Sequence, residues 1–207
     1  MIRLLRLSEI ASVIALLFSV YNFWQNSQRP PELRIFVPPV IDYASGPYPD
    51  SQFEAFAIPV TVVNQGARAG TILSMVLTVT DPKNHTSKRF YSANVGPYSQ
   101  EKMRNGDRHP FAPISLAGRA SYSDTVQFLA RGDQDLKAIV QAAGNYQFTI
   151  TVDSPKLEYG FFDQMFSKVV VPLNFEMVLQ ELDRRLFLTG DGTISMHEKD
   201  WQSTAGE

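Results

Sequence analysis

Cysteine is absent from the 207-residue chain, which excludes disulfides, thiolate zinc sites and a cysteine nucleophile. Histidine is scarce: His85, His109 and His197 stand far apart, with no i, i+4 pair of the kind that grips zinc from one helix face. An excess of either charge is missing too. With 19 Lys and Arg against 21 Asp and Glu, the net charge of −2 leaves no electrostatic footprint for nucleic acid. Nor is there a continuous Lys/Arg run of the kind that docks on anionic lipid. Nucleophile elbows of the G-x-S-x-G type and phosphate loops are lacking, as are internal repeats and low-complexity segments. The lack of cysteine carries no information about location, because an oxidising compartment permits disulfides without requiring them.

The first feature present is an apolar run. "MIRLLRLSEIASVIALLFSVYNFWQNSQRPPE" places Arg3 and Arg6 ahead of a stretch that continues to Trp24. Positions 4 to 24 make about 21 residues, close to the ~20 that cross hydrocarbon, although the strictly uncharged part is about 15 and Glu9 stands at its edge. No small-x-small cleavage site follows, and no cysteine for lipid attachment. Tyr21 and Trp24 fit an interfacial aromatic belt. Together with Ile10, Leu16, Leu17 and Phe18 they predict an uncleaved single-pass anchor, 1–24, held in the cell (inner) membrane with membrane lipid as its partner. Arg3 and Arg6 place the N-terminus on the cytoplasmic side and the bulk of the chain outside, periplasmic or extracellular. The following 25–32, with Pro30 and Pro31, read as a stiff linker.

Beyond residue 33 the dominant period is two. Phe56, Ile58, Val60 and Val62 alternate with Ala57, Pro59, Thr61 and Val63; Leu73, Met75, Leu77 and Val79 form a second such series. Tyr146, Phe148, Ile150 and Val152 form a third, and Val169, Val171, Leu173, Phe175 and Met177 a fourth. Weaker strands are expected at 33–37, 89–95, 114–116 and 125–129, separated by turn signals such as "NQGARAG" and "DPKNH". About seven or eight short strands with one wetted face each predict an antiparallel β-sandwich over 33–178. The helical spacing of "DQDLKAIVQAAG" predicts one short connecting helix, and 179–207 a C-terminal tail, helix or hairpin.

"PVTVVNQGARAGTI" resembles the Asn-x-Gly hairpin of bacterial immunoglobulin-like and fibronectin-like modules, and "AAGNYQFTITV" is similar to their penultimate strand. Many single-pass bacterial membrane proteins share this layout. The resemblance implies an Ig-like sandwich at the envelope and no reaction. It makes Asn64, Gly66 and Gly70 turn residues, and gives Tyr146 a hydroxyl bonded back across a corner.

Two stretches invite sharper readings. In "TGDGTISMHEKD", Asp191, Gly192, Ser195 and Glu198 match the second half of an EF-hand loop, while Phe187 and Thr189 stand where its first carboxylates belong. Calcium is thus the one cofactor suggested, and a β-turn or hairpin with Asp191-Gly192 at its tip is the plainer alternative. In "LEYGFFDQMF", Tyr159, Phe161, Phe162 and Phe166 either plug the open end of the sandwich or form an exposed patch for a partner. If successive strands alternate in direction, that loop and "NQGARAG" lie at the linker end, with "IDYASGPYPD" and the tail at the other. The expected function is a non-enzymatic, membrane-anchored extracytoplasmic interaction or envelope-accessory module, with another envelope protein as partner and no nucleic acid. A calcium-dependent binding or sensor protein is the alternative, and a carboxylate-based hydrolase comes third.

Overall fold

Among the described residues the period-two alternation becomes twelve strands, preceded by one long helix. The computed structural model describes residues 2–45, 54–81, 83–97, 108–130, 138–155, 172–179 and 193–198. Helix α1 covers Ile2–Phe23 and ends in one π-helical turn, Trp24–Gln28. The strands are β1 (Leu33–Phe36), β2 (Val40–Ser45), β3 (Glu54–Asn64), β4 (Gly70–Ile72), β5 (Ser74–Asp81) and β6 (Thr86–Val95). After them come β7 (His109–Pro110), β8 (Ile114–Leu116), β9 (Ser121–Ala130), β10 (Gly144–Asp153), β11 (Leu173–Leu179) and β12 (Thr193–Glu198).

Eight strands close on themselves, in the order β3-β2-β12-β11-β10-β5-β6-β9 and back to β3, every neighbour antiparallel. This corrects the expected Ig-like sandwich to a closed β-barrel. Two pairings make the difference. Strand β9 pairs β3 along one edge and β6 along the other, which joins what would have been two sheets. Strand β12, taken from the sequence as part of a loose tail, inserts between β2 and β11 and removes the last free edge. Alternation could not reveal this, because sandwich and barrel strands alike turn one face inward. Strands β1 and β2 run along one edge of β3, interrupted at Pro38-Pro39, where the register slips by two residues: Phe36 faces Thr61 while Asp42 faces Ala57. Proline lacks the N–H that a ladder needs, so the break falls there.

An eight-stranded barrel has an interior just wide enough for side chains to fill. Phe56 stands at its centre, with Tyr43 at 4.8 Å and Phe90 and Phe148 edge-on at 4.9 and 5.5 Å between ring centroids. Ile41, Ile58, Ile72, Met75, Leu77, Phe128, Ile150 and Met177 are fully buried with them. The outer face is polar where cross-strand partners meet: Thr61 with Ser123, Thr80 with Ser87, and Thr149 with Asn174 are hydrogen-bonded pairs. Apolar inside and polar outside is the reverse of a barrel that faces lipid.

Of the connecting helix expected over "DQDLKAIVQAAG", 133–137 lie outside the described residues, and the rest is not helical. Its described part, 138–143, is irregular, and Ile139 and Val140 are buried across the barrel mouth. These two apolar residues serve as a plug, and that burial outweighs the local helical spacing. The predicted transmembrane span is likewise not supported: among the described residues no helix is long and apolar enough to cross a membrane.

Candidate functional site: the two ends of the barrel

Because the strands alternate, the barrel has two distinct ends. The mouth carries the β5–β6 turn, the start of β3 and the start of β10. The base carries the linker, the β3–β4 turn and the start of β9.

At the mouth, Glu54 and Lys88 form a buried ion pair with side chains 2% and 8% exposed. Both occupy inward positions of the alternation, Glu54 two residues before Phe56 and Lys88 two before Phe90. The Tyr43 hydroxyl donates to the Glu54 carboxylate at 2.7 Å, and the Ile139 backbone N–H donates to the same oxygen at 2.7 Å. The Lys88 ammonium lies 5.9 Å above the Phe90 ring. Burial foremost, then the adjacent Glu54 charge, hold the Tyr43 hydroxyl protonated well above the ordinary tyrosine value of 10.0. The cluster is closed to solvent, and its geometry fastens the 138–143 plug to the wall.

Beside it lies a cleft of about 300 Å³, lined by Asp81, Lys83, Asn84, Gln141, Asn145 and Tyr146 among others. Its polar groups are engaged with one another. Asp81 accepts from the Lys83 backbone N–H at 2.9 Å and the Asn84 amide at 2.8 Å, and Lys83 Nζ donates to the Ala143 carbonyl at 3.0 Å. Tyr146 donates to the Ala142 carbonyl at 2.6 Å, four residues upstream, which ties β10 to the plug.

At the base, Asn64 is fully buried and bonds in five directions. Its Oδ1 accepts from the backbone N–H of Glu32 (3.2 Å) and Gly66 (3.0 Å). Its Nδ2 donates to the carbonyls of Arg68 (2.8 Å), Ala117 (3.1 Å) and Leu116 (3.3 Å). One amide therefore joins the linker, the 64–70 turn and the 116–120 turn. The linker, expected as a stiff spacer, is docked: the Arg29 carbonyl accepts from Ala67 and Arg68, and Gln65 N–H reaches the Glu32 carbonyl. Gly66 is required by this approach, since a Cβ there would lie 2.0 Å from the Pro30 carbonyl oxygen; at Gly70 it would lie 2.8 Å from Pro31 Cβ.

From this base α1 projects. Ile10, Val13, Ile14, Leu16, Leu17, Phe18, Val20, Tyr21 and Phe23 are 48–64% exposed. They take up about three-fifths of the helix circumference, and Ser8, Ala11, Ser12, Ala15, Ser19 and Asn22 share the remaining face. On the described barrel surface, the exposed large apolar side chains are Phe36 and Leu73. Trp24 is half-buried in the π-helical turn.

The remaining residues singled out in the sequence are dispersed or undescribed. Ser195 donates to Asp42 at 2.8 Å in the middle of β12, and Glu198, three positions on, falls on the opposite face of that strand. These two do not converge on one ion, and Asp191 lies outside the described residues. Among the described residues no group of three His, Asp or Glu could hold a metal. Tyr159, Phe161, Phe162 and Phe166 also lie outside them, although the strand ends flanking that loop, Asp153 and Leu173, are at the base. Of the 179–207 tail, Leu179 and the start of β12 lie at the mouth, and β12 then runs back towards the base, where Glu198 N–H reaches the Pro39 carbonyl at 2.7 Å. The Glu54–Lys88 pair was missed in the sequence, yet its signal was there: two opposite charges at inward positions of strong alternations. The base network had no such signal, since its members are scattered over 29–120.

No family model matches the chain, and neither does any curated protein. Among solved structures, the chain is similar to a Bordetella pertussis protein designated ApaA, at 14% identity over 83% of this chain and 97% of that one, with a TM-score of 0.32. A likeness at that level carries no argument about fold, and no property of that protein passes to this chain.

Proposed function

We propose that the chain is a non-enzymatic interaction module that α1 attaches to a lipid surface, with the barrel as the rigid body held beside it. The observation that carries this reading is the exposure of nine large apolar side chains on α1, with nothing in the described chain covering them. Burying such a set is worth on the order of 10 kcal/mol, enough to drive insertion into an apolar phase. Ser8, Ser12, Ser19 and Asn22 share the face that the large apolar side chains leave open, so the helix has a broad apolar side to bury and a narrower polar side to keep in water. The docked linker supports the same reading, because it transmits the position of the helix to the barrel instead of letting the barrel swing freely. The closed mouth cluster and the internally satisfied cleft favour binding over chemistry.

The test is flotation of the full chain, diluted from detergent, with phosphatidylcholine vesicles. Wild type is expected to float and Leu17→Lys/Phe18→Lys to remain at the bottom. Equal flotation of both proteins, or of neither, would overturn the reading. Assembly through the helix without lipid would register instead as a concentration-dependent mass in sedimentation equilibrium.

A further inference from the structure

No free residue separates the helix from the barrel, and Arg29 is the joint between them. Its N–H donates back to the Trp24 carbonyl at 2.8 Å and closes the π-helical turn that continues α1. Its carbonyl accepts from the N–H groups of Ala67 and Arg68, both at 3.0 Å, in the turn between β3 and β4. One residue is therefore bonded to the helix on one side and to the barrel on the other. Its own rotation is limited as well. Arg29 stands at φ −54°, ψ 125° ahead of Pro30, in the extended region to which a residue before proline is confined. Pro30 and Pro31 fix two more φ angles.

We propose that this joint is a rigid coupling, with Arg119 as the brace that fixes the direction of α1 relative to the barrel. Arg119 spans the joint. Its N–H donates to the Gly66 carbonyl at 3.0 Å on the barrel side, and its guanidinium donates to Asn26 Oδ1 at 2.5 Å on the helix side. It does so at φ 61°, a left-handed geometry that is unfavourable for a residue with a Cβ and that glycine would take freely. Strain of this kind persists only where the surroundings over-determine it. Asn64 secures the barrel side: its amide bonds the linker, the 64–70 turn and the 116–120 turn. The turn that carries Arg119 is thereby held to the turn that receives Arg29.

A coupling of this kind makes α1 a strut and not a tether. A flexible tether of n residues would let its ends wander by about 5 Å × √n and leave the barrel free to turn in any direction. The rigid joint sets one attitude instead: the base faces whatever takes up the helix, and the mouth, with its 138–143 plug, is at the far end. This holds whether lipid or protein covers α1, so the coupling stands apart from the lipid reading.

The chain has no cysteine, so introduced labels are unique. Pulsed electron spin resonance on the full chain in detergent, spin-labelled at Ile10→Cys and Ser121→Cys, reads the distance between helix and barrel wall; both positions are exposed. Ile10 lies about 20 Å along the helix from Phe23, so a small swing at the joint becomes a large displacement there. A single narrow distance distribution is expected. A chain with about four Gly and Ser residues inserted between Gln28 and Arg29 supplies the broad reference. Arg119→Gly and Asn26→Ala should each broaden the distribution towards that reference, and Asn26→Asp, which keeps the acceptor, should leave it narrow. The melting temperature of Arg119→Gly should be unchanged or raised by up to about 4 °C, because glycine relieves the left-handed strain while it frees the helix. A wild-type distribution as broad as the reference overturns the rigid joint. Narrow distributions in both Arg119→Gly and Asn26→Ala overturn the brace. A lower melting temperature accompanying the broadening would mean that the base itself had loosened, and overturns the brace too. None of these outcomes depends on whether the chain floats with vesicles.

Discussion

The helix and the barrel are built from the same apolar residues, turned in opposite directions. In the barrel Phe56, Ile58, Leu77 and Phe148 point inward and are sealed, while Thr61, Thr80, Ser87 and Thr149 meet water. In α1 Ile14, Leu17 and Phe18 point outward with nothing over them. The barrel has satisfied its own hydrophobic requirement and the helix has not. Stability should therefore reside in the barrel and attachment in the helix, and the two should respond to different substitutions.

The largest effect on stability is expected from Phe56→Ala. Three aromatic rings pack on Phe56, and the cavity left behind should cost about 4 kcal/mol in urea unfolding. A loss under 1 kcal/mol would mean that the interior is not packed around this ring. Next comes Lys88→Met, which strands the Glu54 carboxylate in the interior and should cost about 3 kcal/mol. The double replacement Glu54→Gln/Lys88→Met should recover part of that, and its failure to do so would show that Glu54 matters chiefly through Tyr43 and Ile139. Asn64→Ala should cost about 2 kcal/mol. It should also speed amide exchange at Glu32 and Gly66 while exchange at Ile58 stays slow, and uniform acceleration would argue against a separable linker clamp.

A smaller effect concerns alkaline pH. The Tyr43 pKa is raised in the folded state, so the unfolded chain releases this proton near pH 10 while the folded chain retains it. The contribution is complete below pH 10 and lost as pH rises above it. Stability should fall above pH 10, and Tyr43→Phe should flatten that slope; an unchanged slope would place the sensitivity elsewhere. The smallest effect is expected from Leu17→Lys, which should leave barrel stability within about 0.5 kcal/mol because this side chain touches no part of the barrel core. A larger shift would mean that helix and barrel fold as one unit.

Several elements could be read from the residues alone. The alternations at 56–62, 73–79 and 146–152 became β3, β5 and β10, because inward and outward positions are a local property of an extended chain. Pairing was not local. Strand β12 was read as a degenerate ion loop or hairpin, since its partners β2 and β11 lie far from it in sequence or behind a turn that propensity cannot place. Strand β2 gives only a faint local signal, Ile41 and Tyr43 alternating before a Gly/Pro-rich stretch. At 138–143 the helical spacing was real, but the need to cover the barrel mouth prevailed.

By itself the sequence determined which residues are apolar, where strands alternate, where turns must fall, and that no cysteine chemistry is possible. Each of these follows from side-chain identity and short-range spacing. Only the tertiary structure decided that the sheet closes, that Glu54 finds Lys88, and that Asn64 ties the linker to two distant turns. Closure and clustering depend on which distant segments share a wall, and that is settled by the joint burial of one core.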